Sequence, residues 1–263
     1  MKIEPFVTRV GRAEDGDNRF RGYSVDRDLA GRLGVAQTLV LALTGMRLDA
    51  EAGAVIDDLT VSILAADPRI WPLKVPRLGA TFGSPLVGAA VALLAQESTN
   101  VGGGSSGVIA RYLVNVAREL DDTIDDAAVA RVVARDLAAG HKFIGYGVPF
   151  RDVDERVTTA ERCLAARGRT EHKYWRLARS VERALAAHRP LPLNAAGAMA
   201  AALLDLGLAA ADVPMLVIIL STPSLYANAV EGAAQKAVML QRLPDECVDY
   251  TGPPARRSPR FGQ

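Results

Sequence analysis

Gly145-Tyr146-Gly147-Val148-Pro149-Phe150-Arg151 is the stretch on which the reading of this chain turns. Its central residue, Val148, has no proton to give or take. Upstream, a helix is expected over 125–139, closed by Gly140, with His141 and Lys142 just beyond it. There a histidine and a lysine meet the negative end of the helix dipole. Alternatively, His141 and Tyr146 are the nearest groups able to exchange a proton at Val148. Downstream, Arg151, Arg156, Arg162, Arg167 and Arg169 follow, with Asp152, Asp154, Glu155 and Glu161 interleaved. That pattern reads either as a solvated helix face or as guanidinium groups set out for phosphate.

Outward from this stretch the chain is helical. Helices are expected over 28–43, closed by Thr44-Gly45, and over 51–66, ended by Asp67-Pro68. The segment Leu86–Leu94 is apolar nearly all round and is expected to be central and buried. The run Gly102-Gly103-Gly104-Ser105-Ser106-Gly107 is expected to break the chain, as an interdomain hinge or a pocket wall, before a helix resumes over 108–120. It lacks the Lys-Ser/Thr of a P-loop and follows no strand. Further helices are expected over 154–167, 171–188, 195–206 and 211–241, with Thr8-Arg9-Val10 as a short strand. With a helix prior of ordinary length, the chain holds roughly nine to eleven helices and is all-α. Asn194 either caps the helix that starts at Ala195 or donates a hydrogen bond to a bound carbonyl. Asn228 lies in an apolar helix, where its amide needs partners. His172 and His188 flank a basic helix and read as surface residues.

Composition excludes several classes. Hydrophobic residues are 49% and aromatics 5% of the 263 residues, so Ala, Leu and Val must fill the core. A net charge of +1 provides no field for nucleic acid or a membrane surface. Cys163 and Cys247 form no metal spacing and no disulfide framework. The start, Met1-Lys2-Ile3-Glu4-Pro5, is not a signal peptide. Val213–Leu220 is too short to span a bilayer and contains Pro214. The expectation is a cytoplasmic protein without a metal or a tightly bound cofactor.

The opening stretch resembles the Gly-Phe-Gly-His-Pro-x-His signature of the citrate synthase superfamily, in its citryl-CoA lyase branch. Six further segments resemble that family in the same order. Arg21-Gly22-Tyr23-Ser24-Val25 is similar to its Arg-Gly-Tyr-x-Ile, and Leu43-Thr44-Gly45 to the Leu-Thr-Gly that follows. Asn100-Val101-Gly102-Gly103-Gly104 stands at the His-Gly-Gly-Ala motif, and Leu191–Ala198 at Leu-Pro-x-Asn-Val-Asp-Gly-Ala. Thr222–Glu231 resembles Thr-Pro-Gly-Leu-x-Ala-His-x-x-Glu, and Tyr250-Thr251-Gly252-Pro253 the closing Tyr-x-Gly-Pro.

The resemblance implies a two-domain helical homodimer. It places a discontinuous large domain at 1–102 and 208–263 and a small domain at 103–207. It implies chemistry that makes or breaks a C–C bond beside a CoA thioester, with an acyl-CoA or carboxylate as ligand. In the family two histidines and an aspartate perform that chemistry; here the matching positions are Val101, Val148 and Ala196. None of these can transfer a proton. The family arginine that holds a substrate carboxylate is Ser221. The remaining candidates are His141, Tyr146 and Asn194 for catalysis. Asn100, Gly102, Gly103, Arg151, Ser221 and Asn228 stand for substrate contacts, and Arg156 and Arg162 for the CoA phosphates. Two functions follow: a divergent C–C lyase or synthase, or a non-catalytic homologue that binds a CoA ester, a carboxylate or an active partner subunit.

Overall fold

The computed structural model describes residues 7–14, 16–65, 67–81, 83–99, 102–149, 151–235 and 244–256. It opens in an antiparallel ribbon of β1 (Gly11–Glu14), β2 (Asp17–Phe20) and β3 (Tyr23–Ser24), in that order. The expected strand at 8–10 is absent, and the ribbon lies just after it. Its residues are mostly charged, so no alternation of apolar side chains marks it. A π-helical turn, Val25–Leu29, follows. The Arg21 guanidinium donates to the Ala42 carbonyl through Nε (3.2 Å) and Nη2 (2.5 Å), which ties the ribbon to α1 (Val35–Thr44) near that helix's C-terminal end. That helix starts later than expected because the segment from Asp28 is taken by the turn and by Gly31, at φ +72°. It closes as expected at Gly45, in the left-handed conformation.

Next come α2 (Ala50–Ser62), α3 (Trp71–Ala80) and α4 (Pro85–Ala95). No helix is expected from the sequence at α3, which contains Pro72 and Pro76. Pro72 sits in the first turn, where a missing N–H costs nothing. Pro76 gives up an internal hydrogen bond, but it is buried in a tight contact with α4. A methyl group on Gly88 would come within 2.8 Å of the Ala80 backbone nitrogen, so only glycine lets these helices approach.

The chain continues through α5 (Gly103–Glu119), α6 (Asp126–Ala138), α7 (Glu155–Ala166), α8 (Lys173–Ala186) and α9 (Ala195–Asp205). It ends in α10 (Val213–Leu220), α11 (Thr222–Ala234) and a 3₁₀ turn at Asp245–Cys247. The single helix expected over 211–241 is two, meeting at Ser221, and 236–241 lie outside the described residues. Read as one stretch, Val213–Ala234 is 22 residues long and apolar enough to cross a membrane by length and composition, though 44% of its most apolar 18-residue window is buried in the fold.

The long helix α5 runs against α8, α9 and α10, while α8 packs on α6 and α9 and α2 packs on α7. One hydrophobic cluster joins Val40, Ile56 and Leu59 to Leu113, Trp175, Met199 and Leu216. The segments 103–207 and 1–102/208–263 therefore share a core. Helices α3, α4 and α11 form a second unit around Leu73, Ala92 and Leu225 and around Ala80, Ala89 and Ala229. Within it α4 is not enclosed: Leu86, Val87, Val91 and Leu94 are exposed, against the expectation of a buried helix. These residues fall at i, i+1, i+5 and i+8, one stripe opposite the face that meets α3.

Candidate functional site

The glycines of 145–147 let two distant segments cross. Gly145 and Gly147 have φ of +98° and +86°. Tyr146 bridges to Leu193, Gly147 N donates to the Pro192 carbonyl (2.7 Å), and Asn194 N donates to the Gly145 carbonyl (3.0 Å). Asn194 then caps α9, its Oδ1 accepting from Ala196 N (3.0 Å) and Gly197 N (3.2 Å). Its Nδ2 donates to the Gly147 carbonyl (3.1 Å). Val148 and Ala196, both half-buried, thus flank one junction. Val101 and Asn100 lie outside the described residues.

The same junction holds a charge. Asp154 is buried and its carboxylate accepts from Ala195 N (2.9 Å), from Arg156 N (3.1 Å), and from Arg156 Nε and Nη2 (2.8 Å each). Burial alone would push this carboxyl up, but the Arg156 guanidinium and the backbone donors hold it below the usual range. The sequence reading counted Asp154 among solvated charges. The signal available was its place just before a helix, where an aspartate caps.

The proton-exchanging candidates are committed to structure. Tyr146 is a core side chain whose hydroxyl donates to the Ala178 carbonyl (3.1 Å), and burial pushes its ionisation well above the ordinary range. In the fold it is a packing residue of the core. His141 is exposed and stacks on Tyr112 with ring centroids 5.0 Å apart. Its backbone N–H closes α6 by donating to the Asp136 carbonyl (2.9 Å). Asn194 uses its Oδ1 to cap α9 and one Nδ2 hydrogen to bind the Gly147 carbonyl, so its amide is held in place by the fold.

The Gly/Ser run is also recast. Residues 103–107 are all buried and form the first turns of α5, so the chain does not break there. A methyl on Gly103 would lie 3.0 Å from Ile218 N, and one on Gly107 would strike the ring of Pro214. The run exists for close packing of α5 on α10, not as a hinge. Its N-terminal amides are occupied: Gln96 Oε1 accepts from Gly103 N (3.1 Å) and Gln96 O from Gly104 N (2.9 Å). Gln96 is buried and went unnoticed in the sequence.

Other candidates sit apart from the junction's hydrogen bonds. Ser221 Oγ donates to the Ile218 carbonyl (2.7 Å) where α10 meets α11. Asn228 is buried, accepts from Arg77 Nε (2.7 Å) and donates to the Ser224 carbonyl (2.9 Å). Its amide joins α3 to α11. Arg151 is exposed and pairs with Glu155; Arg162 is exposed. Among the described residues no group of histidine, cysteine and carboxylate side chains is placed to hold a metal. A groove of about 790 Å³ lies elsewhere, between α6, α7 and α8. Its arginines are largely self-paired, Arg183 with Asp126 (2.8 Å) and Arg179 with Glu182 (2.6 Å), as on a solvated seam.

No protein-family model matches the sequence, and no curated protein does either. Solved structures match the fold. Citryl-CoA lyase from Hydrogenobacter thermophilus superposes with a TM-score of 0.79 at 22% identity, over 98% of this chain and 99% of that one. ATP citrate lyase from Methanosaeta concilii, solved with (3S)-citryl-CoA, gives 0.74 at 18% identity over 96% of this chain and 42% of its own. Citrate synthase from Thermotoga maritima gives 0.64 at 16% identity over 88% and 61%. The chain has the helical fold shared by these proteins.

Proposed function

We propose that this protein is a citrate synthase/citryl-CoA lyase-like homologue that binds a CoA ester at the 145–156/194–197 junction without performing ordinary citrate chemistry. The observation that carries this reading is the junction itself. Val148 and Ala196 stand there, at the positions the resemblance gives to a proton-transferring histidine and aspartate. Around them, the Tyr146 hydroxyl is bonded to the Ala178 carbonyl, and the Asn194 amide caps α9 and bonds the Gly147 carbonyl. Removing a carbon acid's proton needs a base and an oxyanion donor acting together, each contributing about 10²–10⁴ in rate. Valine and alanine supply neither. What remains is recognition: Arg156, a third exposed and oriented on a buried carboxylate, suits a phosphate. Apolar side chains at the former proton-transfer positions favour a ligand less charged than citrate at its reacting end.

The same reading includes a homodimer. The exposed apolar stripe of α4, with Tyr226 and Val230 exposed on α11, is a surface that a second copy would cover. Thermal-shift measurements with CoA, acetyl-CoA and citrate, beside a coupled assay for citryl-CoA synthesis and cleavage, test the proposal. The expected result is a rise in melting temperature with the CoA compounds and no citryl-CoA turnover, since a ligand of the native state raises its stability. Turnover at ordinary enzyme rates would establish the divergent lyase instead. No shift with any CoA compound would remove the binding reading.

A further inference from the structure

We infer that Asp154 is a positioning residue, which holds Arg156 as a pre-oriented anion clamp and links it to the first turn of α9. The inference rests on the reading of Arg156 as a phosphate contact. Asp154 is 1% exposed, and both of its oxygens are used twice. Oδ1 accepts from Arg156 N and Nε, while Oδ2 accepts from Arg156 Nη2 and Ala195 N. A pair only two residues apart closes into a fork, so the guanidinium plane is set by the carboxylate plane. The pairing consumes the Nε edge and leaves Nη1 and the second N–H of Nη2 for a ligand.

A free surface arginine loses rotamer freedom when it binds a phosphate, which weakens binding by about three- to ten-fold for a long side chain. Here that ordering is already present in the folded protein. The cost is partial neutralisation of the guanidinium charge, so Asp154 trades attraction for orientation. Ala195 N adds a second consequence. The carboxylate that orients Arg156 also satisfies a first-turn amide of α9, beside the Asn194 cap and Ala196. A phosphate drawing on Arg156 therefore acts on the helix end that carries Ala196.

Calorimetric titration of CoA into wild type, Arg156→Ala, Asp154→Asn and the double variant tests this. Each single change is expected to weaken binding, Asp154→Asn by about three- to ten-fold, the size of the lost pre-ordering. In the Arg156→Ala background Asp154→Asn is expected to add nothing. An equal loss in both backgrounds, or no loss in either, would overturn the inference, the former marking Asp154 as a purely structural cap. If wild type binds no CoA, the reading of the site fails and the positioning role is judged separately. Hydrogen exchange at Arg156 Nε, followed by ¹⁵N NMR, should then be slow in wild type and at least about ten-fold faster in folded Asp154→Asn, as for a broken side-chain hydrogen bond. Equal exchange rates would refute it.

Discussion

Replacing Gly104 with alanine distinguishes two accounts of the Gly102–Gly107 run by the sign of its effect. In a flexible hinge, alanine at an accessible backbone conformation removes unfolded-state entropy and stabilises by about 0.4–1 kcal/mol. In the structure Gly104 is buried in the first turn of α5, and its φ is not positive, so backbone strain does not enter. Space does. The added methyl would lie 2.6 Å from the Ser98 carbonyl oxygen and closer still to that of Glu97. Both are backbone atoms, in the turn whose Gln96 carbonyl accepts from Gly104 N, so neither can rotate away. Overpacking of this kind costs about 1–3 kcal/mol or more, against a helix-propensity gain of at most about 1 kcal/mol. The net expectation is a loss of about 1–2 kcal/mol. At ~2–4 °C per kcal/mol for a chain of this size, the midpoint falls by roughly 2–8 °C. Thermal unfolding monitored by circular dichroism measures the midpoint, and urea unfolding, with the slope checked for two-state behaviour, measures the free-energy loss. An unchanged or raised midpoint would refute the close-packing account. Gly107→Ala, which meets side-chain atoms (the Pro214 ring and the end of Arg111) and no backbone, should cost less.

Asn194→Ala removes the acceptor for two α9 amides and the link to Gly147, and should cost about 1–2 kcal/mol in the same unfolding assay. Asp205 accepts from Tyr174 N and Trp175 N, and its carboxyl is raised by burial despite those donors. The native state then binds the proton more tightly than the unfolded chain. Stability from this group is therefore full below the unfolded value near 4 and is lost as pH rises through the folded value. Asp205→Asn should remove that downward slope above about pH 4, and an upward slope in the wild-type minus variant difference would contradict the assignment. Leu94→Lys on the exposed stripe of α4 should convert a dimer of this 27.9 kDa chain to monomer in light scattering while leaving its circular dichroism unchanged. A wild-type protein already at the monomer mass would count against self-association.

How far the sequence could be read depended on whether the deciding interaction was local. Helices α6, α7 and α9 lie within one residue of their expected ends, because Asp125, Asp154 and Asn194 cap from the adjacent position. The outlying features were settled by residues far along the chain. Whether glycines 103–107 break a helix or pack one depends on Ile218 and Pro214, more than a hundred positions away. Pro76 is tolerated in α3 because of its contact with Gly88. The apolarity of α4 was evident, but a uniform apolar helix looks alike whether its second face meets the same chain or another.

The candidate site shows the same division, and there it decides the chemistry. In the structure 145–147 and 192–194 cross, and residue type alone does not say how a polar side chain there is used. Tyr146 and Asn194 looked available because a hydroxyl and an amide can always donate. In the fold their partners are the Ala178 carbonyl, two helix amides and the Gly147 carbonyl. Asp154 looked solvated because aspartates usually are, yet it is the most buried charge at the junction. A site whose hydrogen-bonding groups are consumed in shaping it can hold a ligand in place. Val148 and Ala196, which flank the junction, offer no side chain that can move a proton, and that asymmetry is why binding, not turnover, is the reading to test first.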